Sequence, residues 1–224
     1  MSEKEHEHIP YSVAKKTTSE SIQASKLYFE LMDKRRSVRF FSDKDVPVEI
    51  INNIIKTAST APSGAHKQPW TFCVISNKVL KSKLRALAEK EEQINYATRM
   101  SDSWKDDLVH LGTNDVKEFI DIAPWIVIVM RKPYDLDDNG NKLNNYYVSE
   151  SVGIASGILI GAIHNAGLVT LTHTPSPMAF ISRLLERPEN EKPYLLLPIG
   201  YPSEDCSVPK LKRKTLKEIA FYYQ

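Results

Sequence analysis

From Ser151 to Ser182 the chain carries no lysine, arginine, aspartate or glutamate, and this stretch restricts the fold more than any other. Its unbroken apolar-and-small run, Val152 to Ile163, ends at His164 and Asn165. A membrane span needs about 20 such residues, whereas runs of about 10–14 are buried core helices. The spacing predicts a buried helix from Tyr146 to Asn165, closed by Gly167 as its C-terminal cap. Glycine recurs there every fourth residue, at Gly153, Gly157 and Gly161, beside Ala155, Ser156 and Ala162. Each glycine inside a helix costs about 1 kcal/mol, and close approach of another backbone offsets such a loss. That backbone belongs either to a neighbour in the same subunit or to the same helix of a second chain; the residues alone leave both open.

Around this helix, other helices alternate with short apolar strands. Ile22, Leu27, Phe29 and Leu31 give residues 20–34 a loosely helical spacing. Val48, Ile51, Ile54, Ile55 and Ala58 line one stripe of a helix over Asp45 to Ser59, with Pro47 near its first turn. A long charged helix is predicted from Lys78 to about Arg99. Thr71 to Ile75, Trp125 to Met130, Leu168 to Thr172 and Tyr194 to Ile199 read as strands, residues 101–115 as a mobile connector and 135–145 as a turn. Strands separated by helices imply α+β or α/β architecture, and runs so short and apolar imply a sheet covered on both faces. At about 150 residues per domain, 224 residues suit a flexible tail over 1–20 and a single folded domain over 21–224.

Composition excludes several function classes. Thirty basic and twenty-eight acidic residues give a net charge of +2, little drive towards nucleic acid. No signal-peptide core appears in the first thirty residues, so neither secretion nor a membrane anchor is expected. Two cysteines, Cys73 and Cys206, make no disulfide framework and suit a reducing compartment, hence the cytoplasm. His6 and His8 alternate with acids in what reads as a solvated tail. With no HExxH or CxxC, no metal is required.

The densest polar feature is Arg35-Arg36-Ser37-Val38-Arg39. Three guanidinium groups and a hydroxyl suit a phosphate and nearby carbonyls. A bare RRSxR is more often a solvated turn, but Val38, Phe40 and Phe41 pull this one towards the body of the fold. GxGxxG and GxxxxGK[ST] are both missing, so a nucleotide-like ligand must be held by side chains. Glu92 and Tyr96 share a helix face, although an acidic surface helix explains them as well, and Lys117 alone would pass for solvated surface. Thr172-His173-Thr174 ends a strand, where hydroxyls face a site or cap local backbone.

Arg35 to Arg39, then Ala61-Pro62-Ser63-Gly64-Ala65-His66 with Gln68-Pro69-Trp70, closely resemble the flavin-dependent nitroreductase superfamily. Glu91 to Tyr96, Asn145-Tyr146-Tyr147, Asn165 to Thr170 and Leu211-Lys212-Arg213-Lys214 resemble its iodotyrosine deiodinase branch, and the likeness covers roughly residues 27–218. The resemblance implies an α+β, three-layer fold, a central mixed sheet flanked by helices, in a domain-swapped homodimer with FMN at the interface. By matching motif, Arg35, Arg36, Ser37, Val38, Arg39 and Arg213 hold the cofactor's phosphate, ribityl and polar ring edge. Pro62, Ser63 and Gly64 lie along the flavin, and Thr172, His173 and Thr174 meet its ring, Thr174 with a catalytic role. Ala65 meets the substrate phenolate, while Glu92, Tyr96 and Lys117 clamp its ammonium and carboxylate from a lid around 89–117. His173 stands where vertebrate relatives commonly carry threonine.

The activity so implied is reductive dehalogenation of halotyrosines, with two electrons from reduced FMN. The electrons come from an external donor, an NAD(P)H-linked reductase or a protein of flavodoxin or ferredoxin type. The rivals are a broad-pocket nitroreductase or quinone reductase and a non-enzymatic flavin- or halotyrosine-binding module. A zwitterion needs one anion and one cation at a fixed separation, which Glu92 and Lys117 supply and a nitroarene does not need.

Overall fold

The computed structural model describes residues 8–224; those up to Arg35 form one compact unit and Arg36 to Gln224 a second. His6 lies outside the described residues, and His8 is exposed. The first unit holds helix α1 (Thr18–Asp33), started by a capping box in which Thr17 Oγ1 accepts the Glu20 N–H and Glu20 accepts the Thr17 N–H. No residue of α1 is buried, and Ile22, Leu27, Tyr28 and Phe29 are exposed.

The second unit contains strands β1 (Trp70–Ile75), β2 (Trp125–Arg131), β3 (Tyr134–Leu136), β4 (Lys142–Asn144), β5 (Val169–Thr170) and β6 (Lys192–Gly200). Its helices are α2 (Val48–Ser59), α3 (Lys78–Ile94), α4 (Asp102–Val109), α5 (Phe119–Ile122), α6 (Val148–Asn165), α7 (Ala179–Leu184) and α8 (Leu216–Ile219). The main sheet runs β1-β2-β6-β5 with every neighbour antiparallel. A parallel bridge from Ser37 to Thr170 makes it mixed at its edge.

Alternation along β2 builds three layers. Val127 and Val129 join Leu197 and Ile199 under α2 and α6. Ile126, Ile128 and Met130 join Leu196 on the opposite face, with Leu84 of α3, Ile120 of α5 and Ile181 of α7. A strand apolar at every position is what a sheet covered on both sides requires. The predicted stripe on α2 packs inwards through Ile51, Ile54 and Ala58.

Four segments differ from expectation: residues 135–145, read as a turn, carry most of the paired strands β3 and β4, and three others have identifiable causes. The connector over 101–115 contains α4, which starts where Ser101 Oγ accepts the Trp104 N–H at 3.2 Å. Helix α6 begins at Val148 because Tyr147 has φ of +48°, outside the helical region. The strand expected over Leu168 to Thr172 narrows to Val169 and Thr170. Its register with β6 continues to a bridge between His173 and Leu196, so Leu171 faces Pro198. Proline has no N–H to donate, and Thr170 Oγ1 bonds the Leu171 carbonyl instead, at 3.3 Å.

The glycines of α6 meet different surroundings. A Cβ on Gly153 would lie 3.4 Å from the Tyr194 hydroxyl, whereas one on Gly157 would meet nothing within 4 Å. Ile154 and Gly157 are exposed, with Ile158 and Gly161 half-buried beside them. Packing within the subunit therefore does not account for Gly157.

Candidate active site

The site forms where the sheet edge ends. Past Pro198 the chain alternates: Leu171 and His173 are buried, Thr172 and Thr174 exposed. Arg39 reaches the same edge because Val38 N–H bonds the Thr170 carbonyl at 3.1 Å, holding Ser37 to Arg39 extended beside β5. Val38 turns into the core and Arg39 to the opposite side. Arg39, Thr172, His173 and Thr174 line a cavity of about 680 Å³ with Glu92, Tyr96 and Lys117. Neither threonine hydroxyl has a hydrogen-bond partner among the described residues, so the alternative of local capping at Thr174 finds no bond to support it.

Segment 89–117 arches over this cavity and closes on itself. Glu89 Oε1 accepts the Lys117 backbone N–H at 2.7 Å and Arg85 Nε at 2.7 Å. Arg85 also donates to Asp121 at 3.0 Å, and Lys81 Nζ caps the Asp121 and Ala123 carbonyls. One face of α3 is thus tied to the chain around α5. A wider, π-helical turn over Asn95–Arg99 continues α3, and Tyr96 donates its hydroxyl to the Thr113 carbonyl at 3.3 Å.

Glu92 and Lys117 are both buried, at 7% and 3% exposure. Glu92 Oε2 lies 3.9 Å from Lys117 Nζ, and Oε1 lies 3.9 Å from His173 Nδ1, both beyond hydrogen-bond range. The carboxylate therefore faces the cavity with no donor bonded to it among the described residues, while Lys117 Nζ bonds the Asn114 carbonyl. Burial pushes the Glu92 carboxyl above its ordinary pKa and Lys117 opposes the shift. Burial likewise pulls the Lys117 ammonium down while Glu92 supports it. His173 falls to about 3 through burial, with Lys117 and Arg39 contributing. Its contact with Glu92 is accordingly that of a neutral ring and a charge, not an ion pair.

The other expected site residues lie elsewhere. Pro62, Ser63, Gly64 and Ala65 sit in the turn between α2 and β1, where Gly64 N–H bonds Ser151 Oγ at 3.3 Å. Only glycine fits at 64: a Cβ there would come within 2.8 Å of the Tyr146 carbonyl. Ala65 adopts a left-handed φ of +49°, as do His66 and Gln68 nearby. None of this turn lines the cavity, nor do Arg36, Ser37 or Arg213, and Arg35 is the last residue of the first unit. The cavity also includes Asn95, Arg99, Trp104, Thr113 and Ser176, none of which the sequence named as a site residue. Arg99 and Asn95 both donate to the Ser176 carbonyl, at 3.2 and 2.9 Å, a pairing that no sequence spacing announces.

Among the described residues there is no cluster of three or more metal-ligating side chains, and no helix is long and apolar enough to cross a membrane. The family model "Nitroreductase family" matches residues 32–201. Iodotyrosine deiodinase of Haliscomenobacter hydrossis is 53% identical over 215 residues, 96% of this chain and 97% of that protein. Iodotyrosine deiodinase 1 of Homo sapiens is 48% identical over 219 residues, 97% of this chain and 76% of that protein. A crystal structure of oxidized iodotyrosine deiodinase bound to FMN and 3-iodo-L-tyrosine superposes with a TM-score of 0.75 at 28% identity, covering 88% of this chain and 99% of that one. With its three-layer fold and a cavity lined by Arg39 and Thr172 to Thr174, the chain belongs to the nitroreductase family, in the branch that holds the iodotyrosine deiodinases.

Proposed function

We propose that this chain is an FMN-dependent oxidoreductase that removes halogen reductively from halotyrosines. The observation that carries the reading is the Glu92–Lys117 pair, a buried anion and cation with an unbonded carboxylate facing the cavity. Burying two charges is costly unless each finds partners, and a zwitterionic amino acid offers one to each. Its ammonium goes to Glu92, its carboxylate to Lys117, and Tyr96 and the arch over 89–117 shut out water. A nitroarene or quinone has no use for such a pair.

The donor set fits FMN. Arg36, Arg39 and Arg213 supply guanidinium groups for a phosphate and polar ring edge, with Arg35, Ser37 and Val38 alongside. Thr172, His173 and Thr174 form the strand end, with two exposed hydroxyls that have no partner among the described residues. Pro62, Ser63 and Gly64 offer close backbone approach, and Ala65 a strained turn for a phenolate. When bound, FMN supplies two electrons. The carbon–halogen bond breaks, halide leaves with its electron pair, and the ring carbon takes one proton.

A homodimer completes the site, because the Pro62 to Ala65 turn does not line the cavity that holds Glu92 and Lys117. The exposed Ile154–Gly157 stripe of α6 and the exposed apolar side chains of α1 and of the chain after α8 support self-association. Unpaired Cys73 and Cys206 fit a reducing compartment such as the cytoplasm, where an NAD(P)H-linked reductase or a flavodoxin- or ferredoxin-type protein supplies electrons. Halide release from 3-iodotyrosine by dithionite-reduced, FMN-loaded protein tests the reading. Binding without release would leave a binding module, and reduction of nitroarenes alone would leave the broad-pocket enzyme.

A further inference from the structure

His173 is the buried titratable group at the cavity whose place is set by more contacts than flavin contact requires. Its backbone N–H and carbonyl both bond Leu196 at 2.9 Å. Its ring stands edge-on to Phe119 at 5.7 Å and 84°, two residues after Lys117. Nδ1 is the nitrogen turned to Glu92, 3.9 Å from Oε1. Nε2 is fully buried and has no hydrogen-bond partner among the described residues.

These contacts decide the tautomer. A proton on Nε2 would bury an unpaired donor and leave the Nδ1 lone pair facing a carboxylate. A proton on Nδ1 points a donor at the carboxylate and leaves only an acceptor unpaired, the more tolerable orphan. Protonation of both nitrogens is opposed by burial and by Lys117 and Arg39.

We propose that His173 is a positioning residue for substrate ammonium: as the Nδ1–H tautomer it holds Glu92 Oε1 while Lys117 holds Oε2. Each contact is 3.9 Å, so a shift of about 1 Å as the arch closes brings both into hydrogen-bond range. The carboxylate is then fixed in rotation, its remaining lone pairs directed at the ligand. The inference rests on the zwitterion reading above and moves His173 from the flavin side of the site to the substrate side.

Asparagine and glutamine separate the two nitrogens. Asn places its amide nitrogen where Nδ1 stands, and Gln, closer to His in volume, places it where Nε2 stands. Binding of 3-iodotyrosine and of 2-iodophenol, which lacks the amino-acid backbone, is measured in FMN-loaded wild type and in His173→Leu, His173→Asn and His173→Gln. Loss of a hydrogen bond to a charged group weakens iodotyrosine binding by about tenfold or more in His173→Leu and His173→Gln, and His173→Asn stays within about threefold of wild type. At matched FMN occupancy, iodotyrosine loses several-fold more affinity than iodophenol in His173→Leu and His173→Gln. Nitrogen-15 shifts of the wild-type holoenzyme report the Nδ1–H tautomer, independently of any variant's folding.

Glutamine matching or exceeding asparagine, a parallel loss of iodophenol binding, or an Nε2–H tautomer each overturns the proposal and leaves the Glu92–Lys117 reading standing. A wild type that binds iodophenol as well as iodotyrosine overturns both.

Discussion

Replacing Lys117 by alanine tests the charge pair from its cationic side, and its consequence is larger than the loss of one contact. At 3.9 Å and an effective dielectric constant of about 20, the pair attracts by about 4 kcal/mol. Side-chain exposures of 4% and 9% leave little solvent to screen it. Breaking a buried pair from one side costs about 3–5 kcal/mol. Lys117 is also what restrains the upward pKa shift that burial imposes on Glu92. Without it burial pushes the carboxyl further upward, so one substitution removes the cation and weakens the anion that meet the zwitterion. Iodotyrosine binding to FMN-loaded Lys117→Ala, followed by flavin fluorescence, should weaken between about tenfold and a hundredfold at pH 7. The loss should lessen as the pH rises, because a carboxyl shifted upward ionises more fully at higher pH, measured as a ratio to wild type so that ionisation of the phenol cancels. The double variant Glu92→Gln/Lys117→Ala should unfold at higher denaturant than Lys117→Ala, because no uncompensated carboxyl remains. Undiminished iodotyrosine affinity, or a loss that ignores pH with no gain in the double variant, would refute the reasoning.

Four further outcomes are expected. His173 falls from its usual 6.5 to about 3 on folding, so the folded protein binds fewer protons than the unfolded chain between those values; its stability is full above pH 6.5 and declines by at most about 5 kcal/mol as the pH drops towards 3. Urea unfolding at pH 7 and 4 checks this, with His173→Asn flattening the decline. Arg36→Ala should bind FMN about tenfold to a hundredfold more weakly, read as flavin lost on gel filtration. Ile154→Glu on the exposed face of α6 should give monomers by sedimentation and lower flavin content; a persistent dimer would move self-association elsewhere. Thr174→Ala should keep FMN, iodotyrosine affinity and, to within about 0.5 kcal/mol, stability, yet dehalogenate more slowly while nitroarene reduction holds, as compared by parallel turnover assays.

Which parts of the fold were legible follows from how far each cause lies along the chain. The stripe on α2 and the apolar run of β2 depend on neighbours within a few residues, and both elements form where their patterns place them. The length of β5 depends on Pro198, a residue of another strand that meets Leu171 only once the register is set. Helix α4 had a local signal, Ser101 followed by Asp102, outweighed by the charge and glycine around it. The glycines of α6 left two packing schemes open, and the fold separates them position by position. Gly153 meets Tyr194 inside the subunit, whereas a Cβ on Gly157 would meet nothing within 4 Å, so packing inside the subunit accounts for the first and not the second.

The charged residues of the site show why composition misleads. Glu92 lies in a run of acids and lysines, and Lys117 in a polar segment, so each reads as solvated surface when judged by its neighbours. Their burial comes from contacts that join distant residues: Glu89 to the Lys117 backbone, Arg85 to Asp121, Lys81 to the carbonyls after α5. All three donors or acceptors lie at spacings of four on α3, a face that looks like an ordinary charged stripe and is instead the strap holding α5 in place. Helical periodicity detects such a face but does not say whether water or protein covers it. What decides here is the number of bonds each charge receives: Arg85 and Glu89 are satisfied by protein, and Glu92 is not. A buried carboxylate without a donor beside a buried ammonium is unfavourable in a structural element, and a zwitterionic ligand removes that penalty by giving each charge its partner.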